Sequence, residues 1–157
     1  MGLMMDDKPI YHKNGLALEG YDVVSYFLDR PLKGSSTFSH HYQELEWRFA
    51  NQQNLDLFVV NNPAKYLPQY GGFCAFGAAN GYKAKPKMSS YHVAEEKLYL
   101  NFSDYVQERW LQEKAEKIIM ADQKWPATKS SKPISANRHW VYIRYKFLKL
   151  FGKDILE

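Results

Sequence analysis

Cys74 is the one cysteine in 157 residues, so any thiol chemistry in this chain has to use it. A thiol attacks as its thiolate, and at an ordinary pKa of about 8.5 only a small fraction is ionised at neutral pH. Gly71 and Gly72 stand just ahead of Cys74 and let backbone approach closely. Cys74 falls in the first turn of an apolar run, Phe73 to Asn80, that reads as a buried helix. Unsatisfied N–H groups at such a start favour an anion and would lower the thiol pKa. The alternative is a small core residue between Phe73 and Phe76, because free cysteine is among the most buried residue types. A catalytic Cys74 and a packed Cys74 both stand at this point.

His40 and His41 are the next candidates. Neighbouring side chains of a strand point to opposite faces, so the two cannot chelate together. The alternation of Phe38, His40 and Tyr42 places His40 inward and His41 outward. An inward His40 near Cys74 could deprotonate the thiol or share copper or zinc with it. Such ions take three or four N, S or O ligands, and Asp22 would be the third, from a distant stretch. An inward histidine satisfied by one hydrogen bond is the competing reading. His12 and His92 read as surface residues. Tyrosines such as Tyr42 and Tyr70 have an apolar body and a polar tip suited to a small-ligand pocket, and suited equally to an aromatic core. The ligand-binding candidates are therefore His40, Cys74, Asp22, Tyr42 and Tyr70, with His40 and Cys74 as metal candidates. Lys83, Lys85 and Lys87 alternate beside Tyr82 and Pro86, as an anion site or a solvated loop. The sequence holds no Gly-rich phosphate loop, no HExxH and no CxxC.

The elements that must position these residues follow from pattern. Gly20 to Leu28 reads as a short buried strand or helical turn, with the helical turn favoured. Thr37 to Tyr42 and Leu45 to Ala50 alternate and read as a hairpin turned at Gln43-Glu44. Asn51 caps a helix carrying Leu55, Phe58 and Val59, and Pro63 opens a second short one. Gly81 stops the run that begins at Phe73. Tyr91 to Ala94 and Lys97 to Phe102 form a second hairpin turned at Glu95-Glu96. Ser103 caps one long helix with Val106, Trp110, Ala115, Ile118, Ile119 and Trp125 at helical period, ended by Pro126. The expectation is an α+β fold, a small antiparallel sheet from two hairpins packed with several helices, plus a C-terminal amphipathic helix.

Composition excludes several classes. At 45% hydrophobic and 16% aromatic residues the chain is neither disordered nor fibrous. One cysteine excludes an internal disulfide framework. The longest stretch without a charged residue, Tyr66 to Tyr82, carries Pro68 and several glycines and is no membrane span. No basic segment leads into an apolar run at the start, so a cytoplasmic location is expected. The net charge of +4 is unevenly placed: from Lys129 onward there are seven basic and two acidic residues, so the rest is nearly neutral. A basic balance confined to a tail does not point to nucleic acid.

Motifs along the chain resemble the YHS domain family. Gly20-Tyr21-Asp22 with Ser25-Tyr26-Phe27 resembles its opening, as do Phe38-x-His40-x-Tyr42 and Trp47-x-Phe49. Asn54-x3-Phe58, Pro63-x2-Tyr66 and Pro68-x-Tyr70-Gly71-Gly72-x-Cys74-Ala75 continue the pattern. Lys97 to Asn101 and Ala121-Asp122-x2-Trp125-Pro126 close it, so the resemblance covers about residues 11–127. It implies a small module of a kind found beside copper-transporting ATPases and in some oxygenases, often suggested to bind metal. The metal-linked branch has cysteines where this chain carries Ser25, Ala50 and Asn54. The resemblance is therefore to the single-domain branch with the Tyr-Gly-Gly-x-Cys motif. Some of its members are described as selenoproteins, which implies a redox or nucleophilic role at the Cys74 position.

The expected organisation is a lead-in (1–13), a YHS-like domain (14–127), a linker (128–137) and a basic amphipathic helix (138–157). Trp140, Ile143, Phe147, Leu148, Phe151 and Ile155 fall on one helical stripe of that tail. Trp140, Arg144, Lys146, Phe147, Lys149 and Phe151 are its candidate contacts with an anionic membrane surface or a second copy. The functional expectation is a binding domain for a metal ion or small ligand at a pocket near Cys74 and His40. The alternatives are a thiol-based redox protein and an interaction protein acting through the tail, peripheral to a membrane.

Overall fold

The structure, a computed structural model, describes residues 8–135 and Lys146. The chain begins with β1 (His12–Lys13) and β2 (Leu16–Ala17), an antiparallel pair. β3 (Tyr21–Asp22), helix α1 (Ser25–Leu28) and β4 (Leu32–Lys33) follow, with β3 and β4 paired antiparallel. The Gly20 to Leu28 segment is thus a strand and then a helical turn. β5 (Ser35–Tyr42) and β6 (Leu45–Phe49) form the first hairpin, with His40 opposite Trp47 and Tyr42 opposite Leu45. β2 joins β6 in parallel, so the sheet order is β1-β2-β6-β5.

Helix α2 (Gln52–Val60) starts at Asn51, whose side chain accepts from the Asn54 amide at 2.8 Å. A short 3-10 turn at Pro63–Lys65 precedes the Tyr70-Gly71-Gly72 segment, and α3 (Ala75–Ala79) comes next. α3 is shorter than the sequence predicts, so Cys74 is its N-cap rather than part of its first turn. The second hairpin is β7 (Lys87–Ala94) with β8 (Lys97–Asn101), in a sheet of its own. Both hairpin turns hold their two central residues at positive φ, 51° and 64° at Gln43 and Glu44, 51° and 61° at Glu95 and Glu96. This backbone twist matches the strands it joins, and it is kept although side chains resist it.

The long helix predicted from Ser103 is two. Ser103 caps α4 (Asp104–Gln112) by accepting from the Val106 amide at 3.2 Å, and α5 (Lys114–Thr128) follows a break at Glu113. The break resets the helical phase, so Ala115 and Ile119 are exposed while Ile118, Ala121 and Trp125 pack inward. Pro126 lies inside α5 and does not end it.

The core is in two parts. One gathers Trp47, Phe49, Phe58 and Tyr66 under the first hairpin. The other gathers Phe76, Tyr99, Trp110 and Ala121 between α3, α4 and α5. β8 divides them: Leu98 and Leu100 belong to the first part and Tyr99 to the second, as alternation along a strand requires. The architecture is α+β with small, mainly antiparallel sheets. The two hairpins lie in different sheets and share no ladder. Trp140, Arg144, Phe147, Lys149 and Phe151 lie outside the described residues; Lys146 is helical and exposed. Among the described residues no helix is long and apolar enough to cross a membrane.

Candidate functional site

Asp22 is fully buried, and its carboxylate is consumed by the fold. One oxygen accepts from the Ser25 amide at 3.1 Å; the other accepts from the Ala50 amide at 2.9 Å and from the Asn54 side chain at 2.7 Å. Ser25 in turn accepts from the Leu32 amide through its hydroxyl. This cluster ties β3, α1, β4 and the junction of β6 with α2 together. Three donors and complete burial close the carboxylate off from solvent.

Cys74 is 2% exposed. Its sulfur accepts from the Gly77 amide at 3.4 Å and donates to Asn101 Oδ1 at 3.5 Å, an oxygen that also accepts from the Phe76 amide at 3.0 Å. The Asn101 amide group donates to Gln107, and Gln107 donates to the Tyr91 carbonyl at 2.9 Å. Cys74 thus sits at the end of a buried polar chain from α3 through β8 to α4 and β7. His40 faces inward and His41 is exposed, as the strand pattern requires. Yet His40 packs on Phe58 with ring centroids 6.4 Å apart, in the first core part, whereas Cys74 belongs to the second. Tyr42 also packs on Phe58, at 5.8 Å, and its carbonyl accepts from the Trp47 indole. Among the described residues no group of three His, Cys, Asp or Glu side chains could hold a metal ion. The expected convergence of His40, Cys74 and Asp22 is not formed among the described residues: His40 packs on the first core part, Cys74 belongs to the second, and Asp22 is held by its own amide donors.

Tyr70 is the sequence candidate that reaches a cavity. The Leu67-to-Gly71 segment and the end of α5 line an open depression of about 410 Å³, with exposed Asp122 and Pro126 and half-buried Trp125 on the helix side and Gln69 and Tyr70 opposite. This lies within the ~300–1,000 Å³ span of small-molecule sites. The Tyr70 hydroxyl donates to Asp122 Oδ1 at 2.9 Å. Burial pushes the Tyr70 phenol far above its ordinary range, and the bond to Asp122 and its charge push the same way. The phenol thus stays a donor, and Asp122 brings the negative charge. The Tyr70 ring meets Trp125 edge-on at 5.9 Å, and Trp125 reaches Phe73 at 6.4 Å.

The backbone here is unusual for its residue types. Tyr70 has φ 55° and ψ 35°, a left-handed conformation that bulky residues resist. Gly71 follows at φ 64°, and a Cβ there would stand 1.6 Å from the Pro9 carbonyl oxygen. The Gly71 carbonyl accepts from the Tyr11 amide at 2.8 Å. Gly71 is thus the residue that lets this segment press against the start of the chain while Tyr70 turns back toward α5.

A second cavity, about 300 Å³, lies beside Phe73 with Tyr11, Ile134, Lys8 and Lys85 in its wall, where the chain enters and leaves the described residues. Asp122 and Trp125 escaped the candidate set although both stand in the closing motif. An Asp and a Trp three residues apart near a helix end carry no chemical signal alone; only their position opposite Tyr70 does. Comparisons with known protein families, with curated proteins and with solved structures return no match.

Proposed function

We propose that this chain is a small-ligand-binding domain of the YHS type, with its site in the cavity between the Tyr70-Gly71 segment and α5. The observation that carries the reading is the cavity itself: a strained tyrosine, a carboxylate, a tryptophan and two prolines, Pro68 and Pro126, line one concave space. Backbone held in a disfavoured conformation beside a cavity is a recognised mark of functional sites. All of these residues belong to the motifs on which the family resemblance rests.

The metal-binding form of the reading is disfavoured by the Asp22 cluster. Ser25, Ala50 and Asn54, which stand where the metal-linked branch carries cysteines, all donate to that one carboxylate. Ser25 and Ala50 donate through their backbone amides and Asn54 through its side chain, so at position 54 the side chain is committed to a hydrogen bond. The thiol-redox form is disfavoured by the burial of Cys74.

The test is a fragment screen followed in amide and indole NMR spectra of the full chain. Shifts clustering at Gly71 and the Trp125 indole are expected for some fragments, with no response to copper or zinc. Ligand-induced shifts confined to the surroundings of His40 in the first core part, or a panel that never reaches the cavity, would reject the assignment.

A further inference from the structure

We propose that this cavity recognises a small organic ammonium ion, most favourably a primary amine. The inference rests on the small-ligand reading and names the ligand's chemistry. Among the described residues Asp122 is the one carboxylate in the wall, and none of those lining it is a lysine, arginine or histidine. Among the described residues its hydrogen-bond partner is the Tyr70 hydroxyl. A phenol donor leaves the carboxylate its charge and its remaining lone pairs.

Pro126 supplies the second argument. It occupies the position four residues after Asp122 inside α5, and a proline has no N–H to give. The Asp122 backbone carbonyl therefore cannot take the usual helical bond from position 126. One residue thus offers a carboxylate and a carbonyl without that bond, and the Gln69 side chain lines the opposite wall. An ammonium group donates through N–H in several directions and needs such a set of acceptors. The Trp125 and Tyr70 rings line the space as well, and aromatic faces attract cations within about 6 Å. An anion would meet Asp122 with like charge. A hard divalent metal needs more oxygen ligands than one carboxylate and a carbonyl.

The probes are n-butylammonium, its neutral analogue butanol and its anionic analogue butyrate, titrated into the full chain with NMR detection. Butylammonium is expected to move the Gly71 amide and the Trp125 indole saturably, in roughly the millimolar range for so small a ligand. Added salt should weaken it. Asp122→Asn should bind about tenfold more weakly or worse, the loss of a charged partner. Pro126→Ala returns an N–H to the carbonyl without touching the carboxylate, and it should weaken butylammonium more than tetramethylammonium, which has no N–H to donate. Pro126→Ala carries the test if Asp122→Asn fails to fold. Equal shifts with butanol or butyrate, or undiminished binding by the variants that fold, would overturn the ammonium assignment while the small-ligand reading stands. Silence to butylammonium also overturns it, and the broader reading falls only if the fragment panel leaves the cavity silent too.

Discussion

Asp22 shows how one side chain can decide what a region is able to do. Three donors from three segments converge on it, and the side chain is fully buried. Asp22→Asn keeps the shape but turns an acceptor into a donor that must face another donor. Hydrogen bonds to charged groups are each worth about 1.5–3 kcal/mol, so a loss of roughly 2–4 kcal/mol is expected. Urea denaturation measures it, and a midpoint equal to that of the parent chain would refute the load assigned to this cluster. Cys74 is built in by the same logic, through Asn101 and Gln107.

At the scale of elements, the second hairpin organises the molecule because β8 serves two core parts with alternate side chains. Its partner β7 is fastened to the helices by polar contacts. Lys87 and Ser90 both bond Asp104 at the start of α4, and these bonds hold the Asp104 carboxyl below its usual range. His92, also on β7, packs on Trp110 at 5.9 Å and takes the Lys114 ammonium at its Nε2, 3.4 Å away. Burial first, and the Lys114 charge second, lower the His92 pKa. A lowered folded value means that the unfolded chain binds this proton first. The contribution is complete above the ordinary histidine value of about 6.5 and is lost as pH falls from there through the folded value. His92→Gln should flatten the dependence of stability on pH in that window. Denaturation midpoints between about pH 5 and 8 read it out, and parallel curves for the two chains would count against the account.

At the scale of the whole molecule, the described part of the expected linker makes contacts with the domain. Thr128 is buried in the last turn of α5, the Ser131 hydroxyl donates to the Thr128 carbonyl, and the Ile134 amide donates to the Lys83 carbonyl at 2.8 Å. The stretch assigned to a linker is thus docked at least to Ser135, where it walls the second cavity. Both core parts are complete without it. A chain ending at Ala127 should still fold but be less stable than one ending at Ser135, by about 1–3 kcal/mol for the lost hydrogen bonds and burial. Circular dichroism with urea titration compares the two. Equal midpoints would restore the earlier boundary, and an unfolded shorter chain would show that the docked segment is indispensable.

Local signals in the sequence were sufficient wherever a neighbour in the chain does the work. Asn51 and Ser103 cap because their side chains reach amides three residues on. Both hairpins follow from alternation, and His40 turns inward because Phe38 and Tyr42 do. The break at Glu113 has no Gly or Pro to announce it; it comes from α4 and α5 packing on different partners. Tertiary structure alone sent His40 and Cys74 to separate core parts, and it alone brought Tyr70 against Asp122 across 52 positions of sequence. The physical reason is the range of the forces involved. Caps and turns are closed within a few residues, whereas a cavity is the space left when distant elements have packed, and no local pattern encodes that remainder.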